Sequence, residues 1–143
     1  MDDYRDAIAS CCRQLRLSAN LADNAFAIEG ETHQEYLYNL LSKEIKCRKA
    51  ARIGKLINSA GFPVQHNFAA FHPDEVQFPS GVTPESLKAL EFFHAGNNLV
   101  MYGSTGTGKT MLSICIGMEA CRSGIPVKFF RTASLINQLS ETQ

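Results

Sequence analysis

Eight consecutive residues constrain this chain more than any others: Gly103-Ser104-Thr105-Gly106-Thr107-Gly108-Lys109-Thr110. They satisfy the pattern GxxxxGK[ST] in full, and their flanks suit it. Asn98 to Tyr102 is a short apolar run ending at a glycine, which reads as a buried strand. Met111 to Arg122 is apolar nearly all round, which reads as a buried helix. Between a strand and a helix, such a loop can fold its backbone amides inward as a nest for phosphate. The helix N-terminus adds partial positive charge. Lys109 supplies a mobile cation for the β- and γ-phosphates, and Thr110 a hydroxyl for Mg²⁺. The expected cofactors are therefore ATP and Mg²⁺, held by Gly103, Ser104, Thr105, Gly106, Thr107, Gly108, Lys109 and Thr110.

The rest of the C-terminal part fits a layered α/β arrangement. Gly124 is placed to stop the buried helix, and Ile125 to Phe130 reads as a second buried strand. Thr132 is a cap for a last helix from Ala133 to about Leu139. The fold class expected is α/β: an N-terminal helical domain, then the first part of a parallel-sheet P-loop domain.

Upstream, the pattern is helical. Asp2 to about Leu17 carries Tyr4, Ile8, Cys11 or Cys12, and Leu15 at helical spacing. A loop-like stretch follows, ending in Glu29-Gly30. Thr32 with Glu35 fits a capping box and opens a long helix to Ala60, stopped at Gly61. Its apolar set is Leu37, Leu40, Leu41, Ile45, Ile53, Leu56, Ile57 and Ala60. The two helices are expected to pair as a small antiparallel unit. Residues 62–82 carry Pro63, Pro73, Pro79 and Gly81 with Phe62, Phe68, Phe71 and Phe78 interleaved, and read as an extended linker pinned by its rings. Thr83-Pro84-Glu85 opens a further helix with Leu87, Leu90 and Phe93 as its stripe and Gly96 as its end. The expected domains are 1–61 (helical), 62–82 (linker) and 83–143 (partial P-loop domain).

The formal net charge of zero conceals a segregation. Residues 1–42 carry three basic and seven acidic residues, whereas 43–55 carry six basic and one acidic. Within that block Arg48, Arg52 and Lys55 fall at i, i+4 and i+7, on one stripe. Contact with nucleic-acid phosphates and a plain solvated helix face both fit this pattern. Five cysteines without CxxC spacing read as free thiols of a reducing compartment, hence the cytoplasm. No apolar stretch approaches the roughly 18 residues of a membrane span. His33, His66, His72 and His94 show no metal-ligand spacing.

Taken together, these segments resemble one family. Leu15-Arg16-Leu17, the Tyr36-Leu37…Leu40-Leu41…Glu44 helix, Arg48, Arg52 and Ala60-Gly61-Phe62-Pro63 look like the N-terminal domain of IstB-type helper ATPases of IS21-family insertion sequences. Residues 96–139 resemble the opening of the AAA+ core of the same family and, less closely, helicase loaders of the DnaC type. The resemblance implies ATP binding, DNA binding, self-assembly on DNA and delivery of a target to the transposase of the same element. It also implies a sheet of order 5-1-4-3-2, in which the two expected strands are not neighbours. Ser104 and Met111 stand where the family often has Pro and His. After Lys109 the acidic residues are Glu119 and Glu141, and neither follows an apolar strand. The Walker B acids, sensor and trans-acting arginine that the resemblance implies therefore have no counterpart here. The chain reads as the first part of a longer ATPase, without hydrolysis of its own. A helicase loader and a non-catalytic DNA- or partner-binding remnant are the alternative readings.

Overall fold

The computed structural model describes residues 3–73 and 76–141, and the chain divides into two compact units, 1–52 and 53–143. Asp2, the expected start of the first helix, lies outside the described residues.

In the first unit, α1 spans Asp3–Gln14 and stops earlier than the periodicity predicts. Arg16 adopts a left-handed conformation at φ +54°. The amide of Leu17 bonds the carbonyl of Cys12 at 2.8 Å, and that of Arg16 bonds Arg13 at 3.1 Å. This is a Schellman termination made without glycine, which costs about 1 kcal/mol of backbone strain. A second helix, α2 (Leu21–Ala27), forms where the sequence suggests a loop. Its Leu21 and Ala22 are buried, as is Cys12 of α1, so a three-residue apolar nucleus holds the pair together. Helix α3 begins at His33 and runs to Ala60, as expected from its cap. Thr32 Oγ1 accepts the Glu35 amide at 3.1 Å, and the Glu35 carboxylate accepts the Glu31 amide at 2.9 Å. The reciprocal arm of the capping box thus reaches one residue beyond Thr32.

Three side-chain bonds tie α3 to the first unit. Tyr36 donates its hydroxyl to the Ala25 carbonyl at 2.7 Å. Glu44, only 4% exposed, accepts the Ser18 amide at 2.8 Å and the Ser18 hydroxyl. Arg48 pairs with Glu44 at 3.1 Å and donates to the Arg16 carbonyl. The strained Arg16 therefore aims its carbonyl at a cation.

The second unit packs around α6 (Lys109–Arg122), eight of whose residues are buried. Leu112, Ile116 and Ala120 meet Leu87, Leu90 and Phe71 in one core. Phe68, Val76, Phe78 and Val82 pack against that core, so the Phe-rich stretch is pinned as the interleaved rings predict. Phe62 and Phe129 face one another at 5.9 Å. The segment opened by Thr83 is two short helices, α4 (Pro84–Lys88) and α5 (Glu91–His94), rather than one. Leu90 breaks it at φ +58° and is 2% exposed, so burial of its side chain offsets the strained turn. Gly96 and Gly124 close their helices at φ +72° and +83°, with Asn97 and Ile125 amides returning to Phe92 and Ala120. Helix α7 runs Thr132–Glu141.

The α/β parallel-sheet expectation is overturned. Among the described residues there is no strand: all regular elements are helical. Residues 98–102 are extended, yet only alternate side chains turn inward. Leu99 and Met101 touch the core, while Val100 and Tyr102 are 81% and 95% exposed. Residues 125–130 are likewise extended, and their one cross-chain backbone bond goes from Phe129 to the end of α3 at Ala60, 2.8 Å. A strand is made by a laterally paired neighbour, and neither segment has one here.

Candidate functional site

Residues 103–110 form a single exposed loop leading into α6. Its three glycines are the reason it can turn as it does: φ is +143° at Gly103, +86° at Gly106 and +79° at Gly108. Gly108 is the N-cap of α6 and offers no side chain to it. The first amide of the helix to find a backbone acceptor is that of Leu112, which bonds Gly108 at 2.8 Å. Among the described residues the N–H groups of Gly108, Lys109, Thr110 and Met111 have no protein acceptor. Four orphan donors at a helix N-terminus, left uncapped, are a ready site for an anion.

Lys109 lies across the mouth of this loop. Its ammonium donates to the Gly103 carbonyl at 3.0 Å, the Ser104 carbonyl at 2.6 Å and the Thr107 hydroxyl at 3.2 Å. Thr107 in turn donates to the Ser104 carbonyl at 2.9 Å. The loop thus fixes its own cation at its centre instead of leaving it to search solvent. The Thr110 side chain stands exposed one residue further on, and its hydroxyl has no partner among the described residues. One hard oxygen beside phosphate oxygens and water suits Mg²⁺, which keeps much of its hydration shell. No cluster of three or more His, Cys, Asp or Glu able to hold a metal occurs among the described residues.

Beside the loop is a cavity of about 580 Å³, within the range of small-ligand sites. Gly103, Thr107, Gly108 and Lys109 form its polar end. Phe71, Phe78, Val82 and Met101 are among the side chains of its apolar end. The sequence gave no separate sign of this lining. Phe71 and Phe78 read as linker anchors, and Tyr102 as part of a buried strand; the structure brings all three to the cavity wall.

The other candidate residues stand apart from the loop in their chemistry. Arg48, Arg52 and Lys55 are all exposed on α3. Arg48 is committed to Glu44 and the Arg16 carbonyl, whereas Arg52 and Lys55 form no ion pair among the described residues. Burial raises the Cys115 thiol above its ordinary range, with Glu119 adding to the effect, and burial likewise raises Cys121. These thiols are packing groups, and no disulfide forms among the five cysteines. Among the described residues no helix is long and apolar enough to cross a membrane.

Comparison with known proteins bears on this loop directly. The family of IstB-like ATP-binding proteins matches residues 14–143. A protein of Geobacillus stearothermophilus, named as an ATP-binding protein of insertion sequence IS5376, is 30% identical over 94% of this chain and 56% of its own length. A Mycobacterium tuberculosis protein, named as ATP-binding and within an insertion sequence, is 28% identical over 94% of this chain and 55% of its own. A Bacteroides fragilis relative, named as an IS21-like insertion sequence ATP-binding protein, is 25% identical over 87% and 49%. The chain spans about half the length of these curated relatives. With the match covering both units and the whole of the glycine-rich loop, the chain belongs to the family of IstB-like ATP-binding proteins of IS21-type insertion sequences.

Proposed function

We infer that this chain binds the phosphates of ATP with Mg²⁺ on residues 103–110 and serves as an ATP-binding helper in the transposition of an insertion sequence. The observation that carries the reading is the uncapped start of α6: four orphan amides beside an ammonium held in place by Gly103 and Ser104. Phosphate oxygens satisfy those amides, Lys109 neutralises the terminal phosphates, and Thr110 offers its hydroxyl to Mg²⁺. The apolar end of the adjoining cavity suits the flat face of a base. Nucleic-acid contact on α3 rests on Arg52 and Lys55, the two candidate cations without an internal partner; Arg48 holds the fold of its own unit. The relatives' names tie them to insertion sequences, which favours DNA and the element's transposase as partners.

The test is calorimetric titration with ATP and Mg²⁺ of the chain and of Lys109→Ala. Removing one charge-assisted contact lowers affinity by about 10- to 100-fold. Equal affinity of the two proteins, with matched circular dichroism, refutes the site.

A further inference from the structure

Within the first unit, α3 is apolar on two opposite faces. The inward face carries Tyr36, Leu40, Glu44 and Cys47, at successive helical positions, all buried or half-buried. The outward face carries Leu37, Tyr38, Leu41 and Ile45, which are 53%, 71%, 46% and 67% exposed. Leu37, Leu41 and Ile45 are spaced i, i+4, i+8, so they form a continuous stripe about 12 Å long. Four side chains of this size and exposure leave on the order of 400 Å² of apolar surface bare, the extent at which a patch marks an interaction site.

Charge decides what covers it. The chain just before the stripe is acidic, with Glu29, Glu31 and Glu35 exposed. The helix just after it is basic, with Lys46, Lys49 and Arg52 exposed and none of them in an ion pair among the described residues. A surface ordered acidic, apolar, basic is complementary to itself when a second copy runs antiparallel, and self-repelling when it runs parallel.

We propose that the Leu37–Ile45 face of α3 is a homodimer surface, pairing two copies antiparallel about a two-fold axis beside Leu41. In that register Leu37 of one copy lies opposite Ile45 of the other, and Leu41 opposite Leu41. Lys49 and Arg52 come opposite positions 33 and 30, next to Glu29 and Glu31. Symmetry doubles the buried apolar patch to roughly 800 Å², and the charged flanks carry the total past the ~1,000 Å² of a specific interface. Nothing in this surface involves residues 103–110, so the pairing needs no nucleotide and is independent of the ATP-site reading.

The experiment is sedimentation equilibrium on the full chain without nucleotide. The expected particle has twice the 15.8 kDa chain mass at tens of micromolar, and Lys109→Ala gives the same result. Leu41→Glu with Ile45→Glu gives a monomer of unchanged helicity, because both side chains point away from the unit's core. A second pair of variants tests the register. Glu29→Lys with Glu31→Lys weakens the dimer by about tenfold at low salt, and adding Lys49→Glu with Arg52→Glu to the same chain restores it. A parent chain that stays monomeric, a dimer indifferent to the Leu41 and Ile45 changes, or charge reversal without restoration each overturns the proposal; the last two point to a different surface or a different partner.

Discussion

Removing the Glu44 carboxylate should loosen the whole first unit, although Glu44 belongs to no predicted active site. Its side chain is 5% exposed and accepts from the Ser18 amide at 2.8 Å, from the Ser18 hydroxyl, and from Arg48 at 3.1 Å. Hydrogen bonds to a buried charge are worth about 1.5–3 kcal/mol each, so the two Ser18 bonds amount to roughly 3–6 kcal/mol gross. Water entering at Ser18 and the relief of desolvating a carboxylate return part of that. The Arg48 pair adds little, since Arg48 is 52% exposed and its charge is screened by solvent. Glu44→Ala should therefore cost about 2–4 kcal/mol. Glu44→Gln keeps the shape and one acceptor and should cost about 1–2 kcal/mol. Arg48→Ala leaves the carboxylate with its two Ser18 bonds and should fall in the same lower range. The assay is urea denaturation followed by circular dichroism, with hydrogen exchange at the Ser18 amide as the local probe. Loss of protection at Ser18 in Glu44→Ala is expected well before any change in α6. A Glu44→Ala chain within about 0.5 kcal/mol of the parent, or one with Ser18 still protected, refutes the reasoning.

Three further outcomes follow from single contacts. Gly30→Ala should destabilise the first unit by about 2 kcal/mol in the same denaturation assay, because an added Cβ would sit 2.5 Å from the Tyr36 amide nitrogen and 2.8 Å from its Cα, which are backbone and cannot rotate away. Neutralising Arg52 and Lys55 together should reduce the slope of log K for DNA against log salt by about 2, whereas neutralising Arg48 alone should leave it nearly unchanged; filter binding at several salt concentrations reads both. Cys115 and Cys121 should react with a thiol reagent far more slowly than the exposed Cys11 at pH 8, because burial raises both thiols above the ordinary 9.0. Folding then favours the protonated thiols, so their contribution to stability is full below about pH 9 and is lost as pH rises through the folded values; pH-dependent urea midpoints check the sign.

What the sequence made legible is what a few neighbouring residues decide among themselves. The glycine-rich loop is such a case: Gly103, Gly106 and Gly108 take the positive φ angles that their identity permits, and Lys109 folds back onto carbonyls five and six residues away. The stops at Gly96 and Gly124, the Thr32 and Thr83 caps and the buried α6 are local in the same sense. Where a distant partner decides, reading along the chain fails. Leu90 and Arg16 enter left-handed turns that no glycine announces, because one is repaid by a core contact and the other by Arg48 across 32 residues. The extended runs at 98–102 and 125–130 carry the apolar content of strands, but a ladder needs a neighbour and composition cannot supply it.

Helix α3 shows the same division within one element. Its apolar residues satisfy a helical period, so the helix itself is predictable from them. Period alone does not say which of two apolar stripes turns inward. Glu44 settles that question in the structure: its bonds to Ser18 and Arg48 fix the rotation of α3 about its axis, place Leu40 and Cys47 inward, and leave Leu37, Leu41 and Ile45 outward. Had the apolar stripe alone set the rotation, burying Leu41 and Ile45 would have swung Glu44 toward solvent. A buried carboxylate with good geometry thus selects one of two nearly equivalent packings, which is a specificity role more than a stabilising one. The same selection exposes the surface through which two copies can meet.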